Sequence, residues 1–290
     1  MLFGKTRMAA PPRTLRTKPK ARNRLAPPVK SHTDRRGALV TLGAGFLVSG
    51  ISHGNPANAA GKAALASQNA KRLREFSRLL AGIPRRRDYK TVPMVLDDPQ
   101  LWDAAAIDAV LAYTAGPKQA WDNTELAGSW LKGMRNSLNV QVWSFKETNF
   151  LCVSATHGSA HLALFDQHIW DRYQLPELIG RDVILNNFVS PRSESFSPDG
   201  HDLQSEKAAS FANDLSITTL QQRGVVFMAC HNAIWELAEL LVSTGRNPDR
   251  LPIDAIAAEL SNHLIPDVVL TPGIVATLVR LQHNGFAYSK

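Results

Sequence analysis

Gly224-Val225-Val226-Phe227-Met228-Ala229-Cys230 is a near-continuous apolar run of strand length, and a helical period opens directly after it at residues 232–243. Successive side chains of a strand point to opposite faces of its sheet, so a run apolar at every position has no solvent side. Working outward, residues 140–145 and 149–156 are further apolar, β-branched runs of strand length, and 267–270 is a shorter one. Helical periods separate them, at 103–113, at 122–138 with Asp122 or Asn123 as cap, at 159–173, at 254–262 and at 273–282. Asn284-Gly285 caps the last of these. Uniformly apolar strands separated by helices predict an α/β fold with a mostly parallel sheet covered on both faces. Residues 187–205, rich in Ser, Pro, Asp and Gly, form the one long loop.

The N-terminal portion reads differently. Thr33-Asp34-Arg35-Arg36-Gly37-Ala38-Leu39 sets a twin arginine before the uncharged run 37–52, and Ala57-Asn58-Ala59 follows as an A-x-A cleavage site. This is the pattern of a twin-arginine export leader at residues 1–59, removed after Ala59. The run is too short for a comfortable span, which needs roughly 20 apolar residues. The expected location is the periplasm, with the Tat translocase as a transient partner. Residues 60–90 are then a helical arm and linker, with Leu73, Phe76, Leu79 and Leu80 on one stripe, and residues 91–290 are the α/β domain.

The leader also explains the charge. The chain carries a formal net charge of +8, but residues 1–59 hold 11 of its 33 basic residues and one of its 25 acidic ones. The remaining chain has 22 basic and 24 acidic residues, which removes the basic footprint a nucleic-acid binder needs. Arg85-Arg86-Arg87 reads as a solvated linker. No later segment is apolar enough to span a bilayer. Two cysteines in an exported protein do not make a disulfide scaffold, so the fold must rest on its core.

The C-terminal half resembles the DsrE/DsrF-like family of small α/β proteins. The resemblance is carried by Val226-Phe227-Met228-Ala229-Cys230 with His231-Asn232-Ala233, by Ile265-Pro266-Asp267-Val268-Val269, and by Thr271-Pro272-Gly273-Ile274-Val275. Leu281-Gln282-His283-Asn284-Gly285-Phe286-Ala287-Tyr288 adds to it. Upstream, Phe150 to Gly158 and Phe165 to Tyr173 are similar to the family's strand–HG–helix unit. The resemblance implies a three-layer core, a homo-oligomer, and a sulfur-relay or assembly protein as partner. It also implies a cysteine at a strand end that carries a persulfide, and Cys230 stands at that position. The chain departs from the family's common Cys-Gly-Asn-Ala by placing His231 after the cysteine.

The chemistry of these residues is open at this level. Cys230, where a strand hands over to a helix, is either a thiol activated by the helix N-terminus, with His231 as modulator, or a buried small hydrophobe. Cys152 lies mid-strand, about 16 Å below the edge where Cys230 emerges at ~3.3 Å per residue, so no disulfide is expected. His157 and Gly158 at a strand tip, and Thr271 and Gly273 at a helix start, are candidate ligand-binding residues, the latter for an anion or as a plain turn. His157, His161, Cys230 and His231 would converge on a metal only if their tips meet, and His161 and His168 have bland places beside an apolar stripe and on the surface. No C-x-x-C or H-E-x-x-H spacing supports a metal site, and no triad signature, P-loop or dinucleotide turn is present. No cofactor is expected beyond a persulfide on Cys230. The functions to weigh are a thiol-dependent sulfur carrier, a non-catalytic binding or assembly subunit, and a His/Cys metal-binding protein.

Overall fold

A computed structural model describes residues 66, 69–180, 184–189 and 215–290. The export leader with Arg35, Arg36 and Ala59, and most of the predicted long loop, lie outside the described residues. The core of the described part is a five-stranded, all-parallel sheet in the order β4-β3-β2-β1-β5, with β1 Lys118–Asn123, β2 Leu151–Thr156, β3 Val226–Cys230, β4 Val269–Thr271 and β5 Ala287–Ser289. From β1 to β4 the chain advances one place at a time, and from β4 to β5 it returns past three strands to the far side of β1. Parallel crossovers keep one hand, so connections that advance and a connection that returns fall on opposite faces.

The packing follows that rule. One face is covered by α3 Trp130–Asn139, α4 Gln167–Arg172, α6 Ile217–Gln222, α7 His231–Ser243 and α8 Ile253–Asn262, with α5 Leu175–Leu178 beside α4. The other face takes α1 Lys71–Gly82, α2 Ala104–Leu111 and the returning α9 Ile274–His283. Along β3 the side chains alternate strictly, Phe227 and Ala229 into the α7 core, Val226, Met228 and Cys230 into the α9 core. An α/β sandwich with a parallel sheet is therefore the fold, as the apolar strands predict. No helix among the described residues is long and apolar enough to cross a membrane.

Several local expectations are corrected. Residues 118–123 form β1, where helix was expected from Asp122, because this strand is polar and only Ala120 and Asn123 are buried in it. The expected strand at 140–145 is a π turn, Val140–Ser144, that continues α3, and its Val140 and the following Phe145 are exposed. The expected helix at 159–173 divides into a 3₁₀ turn, Gly158–Leu164, and α4. β5, not expected at all, follows the Gly285 cap, where φ is +83° and Phe286 N–H bonds Leu281 C=O.

The expected arm is a full member of the second layer. Leu73 and Leu80 are buried while Leu79, assigned to the same stripe, is exposed. Having no local cap, α1 is capped from elsewhere, the Asn149 Oδ1 accepting the N–H groups of Arg72 and Leu73. Gly224 lets Leu73 approach. A Cβ there would lie 2.9 Å from Leu73 Cδ2, and the backbone φ of +92° also favours glycine.

In the arginine cluster Arg86 is exposed, as a solvated linker would have it, but Arg85 and Arg87 are drawn in against Asp103. Arg87 reaches both carboxylate oxygens of buried Asp103, at 3.2 and 2.9 Å, and donates to Val268 C=O. Asp103 also accepts the Leu270 N–H at 2.7 Å, and its own N–H bonds Leu270 C=O. One carboxylate thus joins the linker, the start of α2 and the edge strand β4. Removing one partner of a buried pair strands the other charge at a cost of about 3–5 kcal/mol. Asp103→Ala should lower unfolding free energy by that order in urea titrations, and a change below about 1 kcal/mol would refute the role.

Candidate functional site

Where neighbouring strands send their outgoing connections to opposite faces, a crevice forms at the carboxyl edge of the sheet. β3 leads into α7 on one face and its neighbour β4 into α9 on the other, so the switch point lies between Cys230 and Thr271, which pair directly. The Cys230 side chain points to the α9 face, and its Sγ accepts the Ile274 N–H at 3.3 Å. The helix whose N-terminus meets the thiol is therefore α9, whereas α7, the helix that directly follows the strand, lies on the opposite face. Cys230 is only 4% exposed.

The candidate anion site is largely occupied by the fold itself. Thr271 Oγ1 donates to Ala229 C=O, which ties β4 to β3, and a Cβ on Gly273 would stand 3.1 Å from the Asn232 amide. His231 does not turn toward the thiol. It is wholly buried, its Nε2 donates to Pro93 C=O at 2.8 Å, and its Nδ1 has no partner. Burial pulls its pKa down, with the Pro93 bond opposing.

His157 is the residue brought beside Cys230. β2 pairs with β3 up to Thr156 with Ala229, and His157 and Cys230 are the next residues of the two chains, at neighbouring strand tips. Alternation puts both on the α9 face, as it does Asp122 of β1. His157 Nε2 is 2.7 Å from Asp122 Oδ1, and Tyr288 of β5 donates its hydroxyl to Asp122 Oδ2 at 2.7 Å. Lys290 lies 3.9 Å from the same oxygen. Burial alone would raise the Asp122 carboxyl, but the hydrogen bonds from His157 and Tyr288, with the charges of His157 and Lys290, hold it below the usual range. An ionised carboxylate here fixes the imidazole with Nε2 protonated and leaves Nδ1 as the basic nitrogen.

The row Tyr288–Asp122–His157–Cys230 thus crosses four adjacent strands on one face. Sequence reasoning missed two of its members. Asp122 was hidden in a polar strand, and Tyr288 belongs to Phe286-Ala287-Tyr288-Ser289, whose aromatic alternation after Gly285 is the strand signal that would have found it. Gly158, next to His157, has φ +55°, and a Cβ there would lie 2.7 Å from Thr124 C=O, so the turn requires glycine.

The remaining candidates separate. His161 is buried in the 3₁₀ turn with neither ring nitrogen hydrogen-bonded. His168 sits on α4, stacked on His263 at 4.6 Å. Cys152 is on the α7 face, opposite to Cys230, and both cysteines are free. Burial pushes the Cys152 thiol up to about 12, as befits a core residue. Among the described residues no group of three or more His, Cys, Asp or Glu side chains is placed to hold a metal ion. Compared with protein-family models, curated proteins and solved structures, the chain matches none.

Burial pulls His161 down to about 3, with the charges of nearby His157 and His231 adding to it. Its folded pKa is thus below the unfolded value of 6.5, and the unfolded chain takes up the extra proton between the two. Stability from this ring is present above about pH 6.5 and is lost as pH falls toward 3, at up to about 1.4 kcal/mol per pH unit. His161→Phe, which keeps a ring in place, should shrink the loss of stability between pH 7 and pH 5 in urea titrations. An unchanged loss would show that other groups govern acid sensitivity.

Proposed function

We propose that the chain is an exported protein that carries sulfane sulfur on Cys230, on a fold of the DsrE-like kind. The observation that carries this reading is the seat of the Cys230 thiol. It lies at the switch point of the sheet, accepts a helix N-terminal N–H, and ends the strand next to the one that His157 follows. The twin-arginine pattern at Arg35 and Arg36, with the cleavage site at Ala59, supports a periplasmic workplace and export in a folded state. The resemblance supports a protein partner in sulfur relay and self-association.

The chemistry is a thiol exchange. His157 takes the Cys230 proton on Nδ1, its Nε2 being held by Asp122. The thiolate attacks the outer sulfur of a small persulfide, the donor's S–S bond breaks, and the leaving thiolate takes the proton back from His157. One sulfur atom moves and no net oxidation occurs. Tyr288 acts through Asp122, as a positioning residue. At 4% exposure Cys230 admits only a small donor without local opening.

That same burial favours a second reading, in which the fold serves as a binding or assembly subunit and Cys230 is a packing residue. Mass spectrometry of the native protein after exposure to a low-molecular-weight persulfide separates the two. A reducible adduct of about 32 Da on Cys230, one sulfur atom, is expected from the carrier. His157→Gln should slow its formation by about 10²-fold near neutral pH, the usual scale of a lost general base. A Cys230 that reacts only after denaturation would overturn the carrier and leave the binding subunit.

A further inference from the structure

On the α7 face, away from Cys230, a cavity of about 280 Å³ lies between the Gly158–Leu164 turn, the end of α5 and α7. It is nearly twice the volume of about 150 Å³ that accepts benzene in an apolar protein core, and it lies near the lower bound of small-molecule sites. Leu162, Leu178, Ile179 and Leu237 supply apolar wall, and exposed Leu240 stands on the same helix face, one turn further along. Among the described residues, one buried side chain with titratable nitrogens lines it, His161.

His161 is 2% exposed, and both ring nitrogens are sealed from solvent and unpartnered. Buried polar atoms in native proteins are nearly always hydrogen-bonded, and a side chain with two such atoms idle calls for a partner. The ring is held neutral by its surroundings, so it offers one N–H donor and one lone pair and has no charge to attract an anion. The exposed carboxylate of Glu236, also lining the cavity, repels anions further. A hydroxyl group, itself both donor and acceptor, is the complement of a neutral imidazole.

We propose that this cavity binds a small uncharged molecule with an apolar body and one hydroxyl group, of the phenol class. The apolar body fills the space among Leu162, Leu178, Ile179 and Leu237, and a turn of the His161 ring about its side-chain torsions presents a nitrogen to the hydroxyl. The site lies on the other side of the sheet from Cys230.

The test is titration of the full chain with p-cresol, followed by calorimetry and by the ring-nitrogen resonances of histidine-labelled protein. Saturable binding of p-cresol that moves the His161 nitrogen resonances is expected, with toluene at least about tenfold weaker for want of the hydroxyl and p-toluate not binding. Ala233→Trp, which fills the cavity, should abolish binding, and His161→Phe should erase the preference for p-cresol over toluene. Toluene binding as well as p-cresol, p-cresol binding that leaves His161 unmoved, or no saturable binding of p-cresol would each overturn the proposal. The resonance measurement needs no variant, so it decides the matter even if either substitution fails to fold.

Discussion

The carboxylate of Asp103 fastens the parts that the carboxyl edge depends on. β4 is a three-residue edge strand, and its ladder to β3 alone gives it few bonds. Asp103 adds an acceptor for the Leu270 N–H and, through Arg87, a tie to Val268, so the strand is held from the α2 side as well as from β3. α9 starts from the end of β4, and the Ile274 N–H that meets Cys230 is fixed by where that helix begins. A buried ion pair is often a poor source of net stability, since desolvation offsets much of the attraction. Here its role is positional, because a carboxylate that serves an arginine and a backbone amide together admits one arrangement of all three segments.

The topology then divides the edge into two chemically distinct halves. On the α9 side stand Cys230, His157, Asp122 and Tyr288, polar groups engaged with one another or with a helix N-terminus. On the α7 side stand His161 and His231, neutral rings in apolar surroundings. Consecutive residues serve opposite sides, as Cys230 and His231 do, because a strand's alternation and a helix's start fall at the same point. Proximity in sequence is for that reason a poor guide to which histidine works with the thiol.

Much of the architecture was legible. β2, β3, α7, α8 and α9 carry their patterns openly, since they are the most buried elements and their apolar residues fall at the periods that burial imposes. β1 was not, because Lys118–Asn123 is polar at most positions and gives the core only Ala120 on one face and the half-buried Trp121 on the other. The run at 140–145 misled for the opposite reason, its apolar residues lying on a π turn that exposes Val140 and Phe145 and packs Val142 against the core. The thiol and His157 could each be named from sequence as the occupant of a strand tip, while the adjacency of the two tips is set by the strand order. Asp122 and Tyr288 could not, since their part is set by tertiary pairing across 166 residues of chain.

β5 has a consequence for how the molecule is made. Until residues 287–289 dock, the free flank of β1 from Gln119 to Trp121 offers unpaired N–H and C=O groups at the edge of a sheet. Such a flank is a template for pairing with any other extended chain. The strand that covers it also delivers the tyrosine to Asp122, so sealing the sheet against association and completing the row of polar groups are one event. Maturation of the site thereby reports on closure of the fold, and a molecule that has not closed is both chemically incomplete and adhesive.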